Sequence, residues 1–200
     1  MKTKTKALGL MMAAVLLVTA TIFGTMAYLT STDEVTNTFT VGSVAITMGE
    51  APLGTDGKEI SGDRVKANSY KLMPGHVYDK DPIVHFQPKS EASWLFIEVT
   101  NEIADIESKA NDYKSIATQI TDNGWTALDG VTGVYYKSVP ANTGDAAVDY
   151  PVFQGFTVDG SVTGTTLESY NSKTVKIIAY AVQADGFTTA SDAWTTGLGK

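Results

Sequence analysis

The chain contains two histidines, His76 and His85, and no cysteine. A zinc site would have to be built from those imidazoles and from carboxylates such as Asp79 and Asp81. The metalloprotease pattern, two His one helical turn apart with a Glu between them, is absent, and both His lie in extended sequence. Neither a Ser-His-Asp pattern nor a phosphate-binding loop occurs. Asp79-Lys80-Asp81 and the loop acids Asp56 and Asp63 offer oxygen ligands for calcium. They lack the ligand density of a calcium loop, and solvated acids are the plainer account. Trp94 and Tyr135-Tyr136 would suit a sugar-binding surface, although core and strand roles explain them as well. Without cysteine there is no disulfide, thiolate metal site, cysteine nucleophile or thiol for lipid anchoring. These residues lead us to expect no catalytic, cofactor-binding or metal-ligating set.

The informative stretch is instead Tyr28 to Met48, YLTSTDEVTNTFTVGSVAITM. The odd positions Leu29, Val35, Asn37, Phe39 and Val41 carry the larger side chains, and the even positions are mostly Thr. That is the period of a half-buried strand. After Gly42 the apolar set becomes even: Val44, Ile46 and Met48. A one-residue slip at a glycine predicts a bulge or hinge there. The second segment is expected in the domain's own sheet. The first, about residues 28–38, could fold back or pair with another molecule.

Residues 1–27 read as an export signal. Lys2, Lys4 and Lys6 precede the apolar run Ala7–Gly24, and Thr25-Met26-Ala27 is a small-x-small cleavage site. Cleavage between Ala27 and Tyr28 would make Tyr28 the first residue. A retained membrane anchor is the alternative, because the run approaches the roughly 17–25 residues that span a bilayer. The remaining residues, 28–200, are enough for a single domain with a real core. The whole chain is net −7, and residues 1–27 hold three lysines and no acid, so the rest is net −10. Such a surface is a poor match for nucleic acid or anionic lipid. Trp194–Lys200 shows neither a hydrophobic tail nor a wall-sorting motif, so covalent anchoring is not expected.

Further along, residues 50–63 form a turn-rich loop, residues 65–72 suggest a short strand, and Met73-Pro74-Gly75 a tight turn. Pro82 should interrupt the strand 76–87 or place it at an edge. Trp94–Val99 and Lys173–Ala184 are apolar on both faces and are expected mid-sheet. Ile103, Ile106, Ala110, Tyr113, Ile116, Ala117 and Ile120 recur at helical spacing. They predict one long helix, capped by Asn101 and stopped by Asn123-Gly124. Short strands are expected near Trp125 and at 133–139 and 150–158, a loop at 140–149 and a short helix at 189–194. The fold class expected is mainly β, a sandwich with one long helix insertion and a short C-terminal helix.

Several segments together resemble one family. They are the signal ending in Met-Ala before Tyr-Leu-Thr-Ser, Asn37-x-Phe39-x-x-Gly42-x-Val44, Leu72-Met73-Pro74-Gly75, Trp94-Leu95-Phe96-Ile97 and Ala179-Tyr180-Ala181-Val182-Gln183. The chain resembles the SipW-dependent exported proteins of Gram-positive bacteria, the TasA-like and camelysin-like biofilm-matrix proteins, in a clostridial-type version. The resemblance implies a jelly-roll-like sandwich, cleavage by a dedicated signal peptidase and an extracellular destination. It also implies fibres in which a freed N-terminal strand completes the sheet of the next subunit. Camelysin-like members are described as metallopeptidases, but no zinc motif here matches that activity.

The expected function is therefore a secreted matrix protein, not an enzyme, that assembles head to tail through Leu29, Val35, Asn37, Phe39 and Val41, hinged at Gly42. Its partners would be copies of itself, the signal peptidase and a minor matrix or anchoring protein. Before cleavage Tyr28 is tied to the membrane segment, so cleavage would act as the assembly switch. The alternatives are a monomeric surface adhesin presenting loops 50–63 and 140–149 and, last, a metallopeptidase using His76 and His85.

Overall fold

A computed structural model describes residues 2–27, 42–108 and 113–200, with backbone alone for residues 2 and 18–27. It divides the chain into two units, residues 1–40 and 41–200. In the first, α1 (Lys2–Ala27) is a helix dense in Ala, Leu and Met. Leu8, Leu10, Met11, Met12, Leu16 and Leu17 are exposed on it. Among the described residues, no helix is long and apolar enough to cross a membrane.

The second unit is mainly β, built of several antiparallel sheets that do not close into a barrel. Its strands are β1 (Ile46–Gly49), β2 (Val77–Asp79), β3 (Ile83–Phe86), β4 (Ser93–Asn101), β5 (Thr126–Ala127), β6 (Val134–Val139), β7 (Val148–Pro151), β8 (Gly155–Thr157) and β9 (Val175–Gln183). They form sheets of order β1-β3-β7, β2-β8 and β5-β6-β4-β9. The break between β2 and β3 falls at Lys80-Asp81-Pro82, where proline withholds a ladder donor, and the two strands join different sheets.

β4 is an interior strand of the largest sheet, paired on both sides, and alternation decides what each face meets. Leu95 and Ile97 are fully buried in the main core with Val84, Phe86, Tyr78 and Phe156 from the other two sheets. Phe96, on the opposite face, packs with Trp194, Ala193 and Leu128 in a second cluster. Trp194 lies on a C-terminal helical segment, α4 (Ala190–Asp192) continuing as a wider turn through Ala193–Gly197. Its ring is 5.2 Å from Phe96 and 5.6 Å from Tyr180. Each large apolar side chain buried this way contributes about 1.5–3 kcal/mol. The even set Val44, Ile46 and Met48 packs against the main core while Ala45 and Thr47 are exposed, as the pattern after Gly42 requires.

Four expectations are corrected. The strand expected at 150–158 divides at 152–154 into β7 and β8, which join different sheets. The single long helix is replaced by a 3-10 turn (Ala104–Ile106) and a separate seven-residue helix, α2 (Ile116–Asp122). Glu107 between them is extended and bridges Val158, and the Ser108 N–H donates to the Thr157 carbonyl at 2.7 Å. Ser115 caps α2 by accepting from the Thr118 N–H, and Glu107 accepts from the Ile116 N–H at 3.0 Å. Asn101 ends β4 rather than capping a helix, and donates to Glu107 at 2.6 Å. Burial nonetheless pushes the Glu107 carboxyl above its usual range. Ile103, Ile106, Ile116 and Ile120 are all buried. Their spacing recorded burial, and a polar tie to β8 interrupts the helix.

Residues 65–72 are not a strand, since Val65 alone bridges Glu50. Lys173–Ala184 is not mid-sheet either. Among the described residues β9 pairs only with β4 and forms an edge. It is apolar on both faces because Ile177, Ala179 and Ala181 face the main core, while Tyr180 and Val182 face the C-terminal segment.

Candidate functional site

The residues with metal-binding chemistry do not converge. His76 is exposed before β2, and His85 on β3 contacts Asp149 at 2.6 Å. Asp79 is engaged by Lys58 at 3.2 Å and by the Tyr113 hydroxyl at 3.1 Å. Asp81 accepts from Arg64 at 2.8 Å and from the Ala51 N–H at 2.6 Å. Asp79, Asp81 and Glu59 line a small cavity, and burial, with the Asp81 and Asp79 charges adding to it, pushes the Glu59 carboxyl up. Among the described residues, no group of three or more His, Asp or Glu is placed to hold a metal. Trp94 and Tyr136 meet edge-on at 5.8 Å and belong to the second apolar cluster.

A different arrangement emerges at the sheet edges. The Glu102 N–H donates to the Thr174 carbonyl at 3.0 Å, and the Ala184 N–H to the Ala92 carbonyl at 2.7 Å. With the β4–β9 register, this phase makes even residues of β9 the ones that exchange bonds with β4. The N–H and C=O groups of Val175, Ile177, Ala179 and Ala181 therefore point away from the sheet. Among the described residues no strand pairs with this edge. In β1, the Gln87 N–H donates to the Ala45 carbonyl at 2.9 Å, so odd residues bond β3 and Ile46 and Met48 present their backbone outward. The Met48 carbonyl accepts from the Lys66 ammonium.

The two open edges flank a cleft of about 940 Å³ lined by Met48 of β1 and by Val175 and Ile177 of β9. Buried Ile103 and Phe156 are part of its lining. The segment 65–72 forms one wall, held by Tyr78, whose hydroxyl donates to the Lys71 carbonyl at 2.6 Å and accepts from the Met73 N–H at 2.8 Å. No backbone–backbone bond involves residues 66–72 among the described residues. Leu167 of α3 (Gly164–Glu168) and Tyr170 form part of the other wall.

Deep in the cleft, buried Lys80 pairs with buried Glu50, and the Lys80 ammonium lies 5.9 Å from the Tyr70 ring centre. Glu50 Oε1 has no hydrogen-bond partner. Burial, then the charges of Glu50, Asp81 and Asp79, pushes the Tyr70 phenol up, so it stays protonated. The cleft can accept an extended backbone along either edge and apolar side chains between them.

Compared with protein-family models, curated proteins and solved structures, the chain matches none. Of the residues singled out from sequence, Ala27 ends α1, while Tyr28, Leu29, Val35, Asn37, Phe39 and Val41 lie outside the described residues. Gly42 does not have a positive φ. A Cβ there would come within 2.9 Å of Glu91 Cγ, the middle of a flexible side chain. Sequence reading missed the cleft because its walls come from residues 48–82, 103, 156 and 164–177. The one legible hint was the double-faced apolar run in β9.

Proposed function

We propose that this protein is a secreted structural component of an extracellular matrix that assembles into fibres by N-terminal strand exchange. The segment from Tyr28 to about Thr38 leaves its own subunit and pairs with the open edges of the next. The observation that carries this reading is the nine-residue β9, unpaired on one side among the described residues, beside the outward backbone of β1 and an apolar cleft. An uncovered strand of this length is an aggregation liability unless something pairs with it. Main-chain bonds to an added strand supply affinity, and its alternate side chains supply register. A head-to-tail contact of this kind does not close on itself and propagates. Residues 1–27 act as the export signal, in keeping with the apolar side chains exposed on α1, and their removal frees the donor end. The resemblance to SipW-dependent matrix proteins agrees with this reading, as does the mainly β build of several antiparallel sheets, which we take as a jelly-roll-like sandwich. It assigns the chain no catalytic role.

The test compares the mature chain from Tyr28 with one lacking Tyr28–Asn37, both at high concentration, by electron microscopy and light scattering. The full mature chain is expected to give filaments and the truncated one none. Equal filament formation by both sinks the proposal. A concentration-independent monomer with a saturable ligand would favour the adhesin reading, for which the exposed run 143–149 is the best candidate surface.

A further inference from the structure

The cleft is cationic on an acidic protein. Five lysines line it, Lys66, Lys71, Lys80, Lys173 and Lys176, against two acids, Glu50 and Glu168. Lys80 is neutralised by Glu50, Lys173 is 3.2 Å from Glu102, and Lys66 is held by the Met48 carbonyl. Lys71 and Lys176 are exposed, and their ammonium groups have no partner among the described residues. The segment preceding Gly42 has the opposite character: Asp33 and Glu34 are its only charged side chains, and it contains no Lys or Arg.

Asp33 falls on the odd phase of that segment, between Leu29 and Val35, which is the phase expected to enter an apolar groove. A carboxylate on such a face is costly to dock unless a cation meets it. The subunits also repel each other through their net charge, and a local attraction has to overcome that repulsion. Resting on the strand-exchange reading, we infer that the cleft between β1 and β9 is a charge-selective acceptor for residues 28–37 of a second copy. Lys71 and Lys176 meet Asp33 and Glu34 and select this donor over neutral strands of the same alternation. Opposed charges of this kind act mainly on encounter and on rejection of wrong partners.

The experiment follows filament elongation of the mature chain by light scattering in four forms: wild type, Asp33→Lys, Lys71→Glu with Lys176→Glu, and the chain carrying all three changes. Near-UV circular dichroism of the monomers verifies folding, which surface substitutions should leave intact. Asp33→Lys and the double lysine variant are each expected to slow elongation roughly tenfold. The triple variant restores opposite charge at position 33 while Glu34 stays unchanged, and should recover part of the rate. Growth of all forms at the wild-type rate, or a folded triple variant no faster than either parent, overturns the charge recognition while leaving strand exchange standing. A wild-type chain that stays monomeric, with its own segment folded into the cleft or with the cleft otherwise filled, overturns both.

Discussion

Glu50 and Lys80 sit at the ends of β1 and β2, side by side and almost completely removed from water. A buried pair of this kind need not add much stability over a well-packed apolar pair, but each charge depends on the other. Lys80→Met would leave the Glu50 carboxylate buried with neither oxygen paired, since Oε1 already lacks a partner. We expect a loss of about 3–5 kcal/mol in urea denaturation. Glu50→Leu combined with Lys80→Met should recover most of that loss, because no uncompensated charge remains. If Lys80→Met alone unfolds at the wild-type midpoint, the pair is solvated in solution and the cleft is wetter than its geometry indicates.

Under the strand-exchange proposal, the strand that matters most is β9. Its even residues hold β4 and its odd residues turn their backbone outward, so the two sets can be separated by substitution. Proline on the outward set removes no ladder bond and is the usual device for blunting an edge. Ala179→Pro should therefore give a folded monomer, with a modest drop in melting temperature, that no longer accepts a donor strand. Ile178→Pro removes a bond to β4 and should destabilise the monomer itself. The comparison is read by thermal melts and by scattering of the folded fraction. Filaments from Ala179→Pro at the wild-type rate would move the acceptor from β9 to the edge of β1.

In the proposed assembly, donor and acceptor belong to different copies, so a change confined to the donor should leave the monomer folded. Val35→Asp and Thr36→Asp add the same charge one residue apart, on opposite faces of an extended donor. Val35→Asp should block polymerisation without altering the monomer's circular dichroism. Thr36→Asp should be much milder. Like behaviour of the two variants in a scattering assay would show that the segment does not dock by its odd face. Mixing wild type with Val35→Asp adds a direction test: the variant keeps an intact cleft, so it should still accept a wild-type strand and terminate growth.

Local patterns were legible wherever one short-range cause set them. Trp94–Val99 alternates two apolar sets, and β4 buries both, one in each cluster. The apolar phase after Gly42 is set by which side of β1 meets the core, and Met73-Pro74-Gly75 makes its turn, with Gly75 at a φ of 72°. The spacing of Ile103, Ile106, Ile116 and Ile120 correctly named buried residues. It could not reveal that Glu107 leaves the helical path to bridge Val158, a residue remote in sequence. The position of β9 was hidden for a related reason. Hydrophobicity on two faces reports layers above and below a strand, whereas edge or centre depends on which strands lie beside it, and that is settled by chain topology. The cleft was beyond sequence reading altogether. Its lysines come from positions 66, 71, 80, 173 and 176, and only the folding of β9 and the 65–72 segment around a common core brings those charges to one opening.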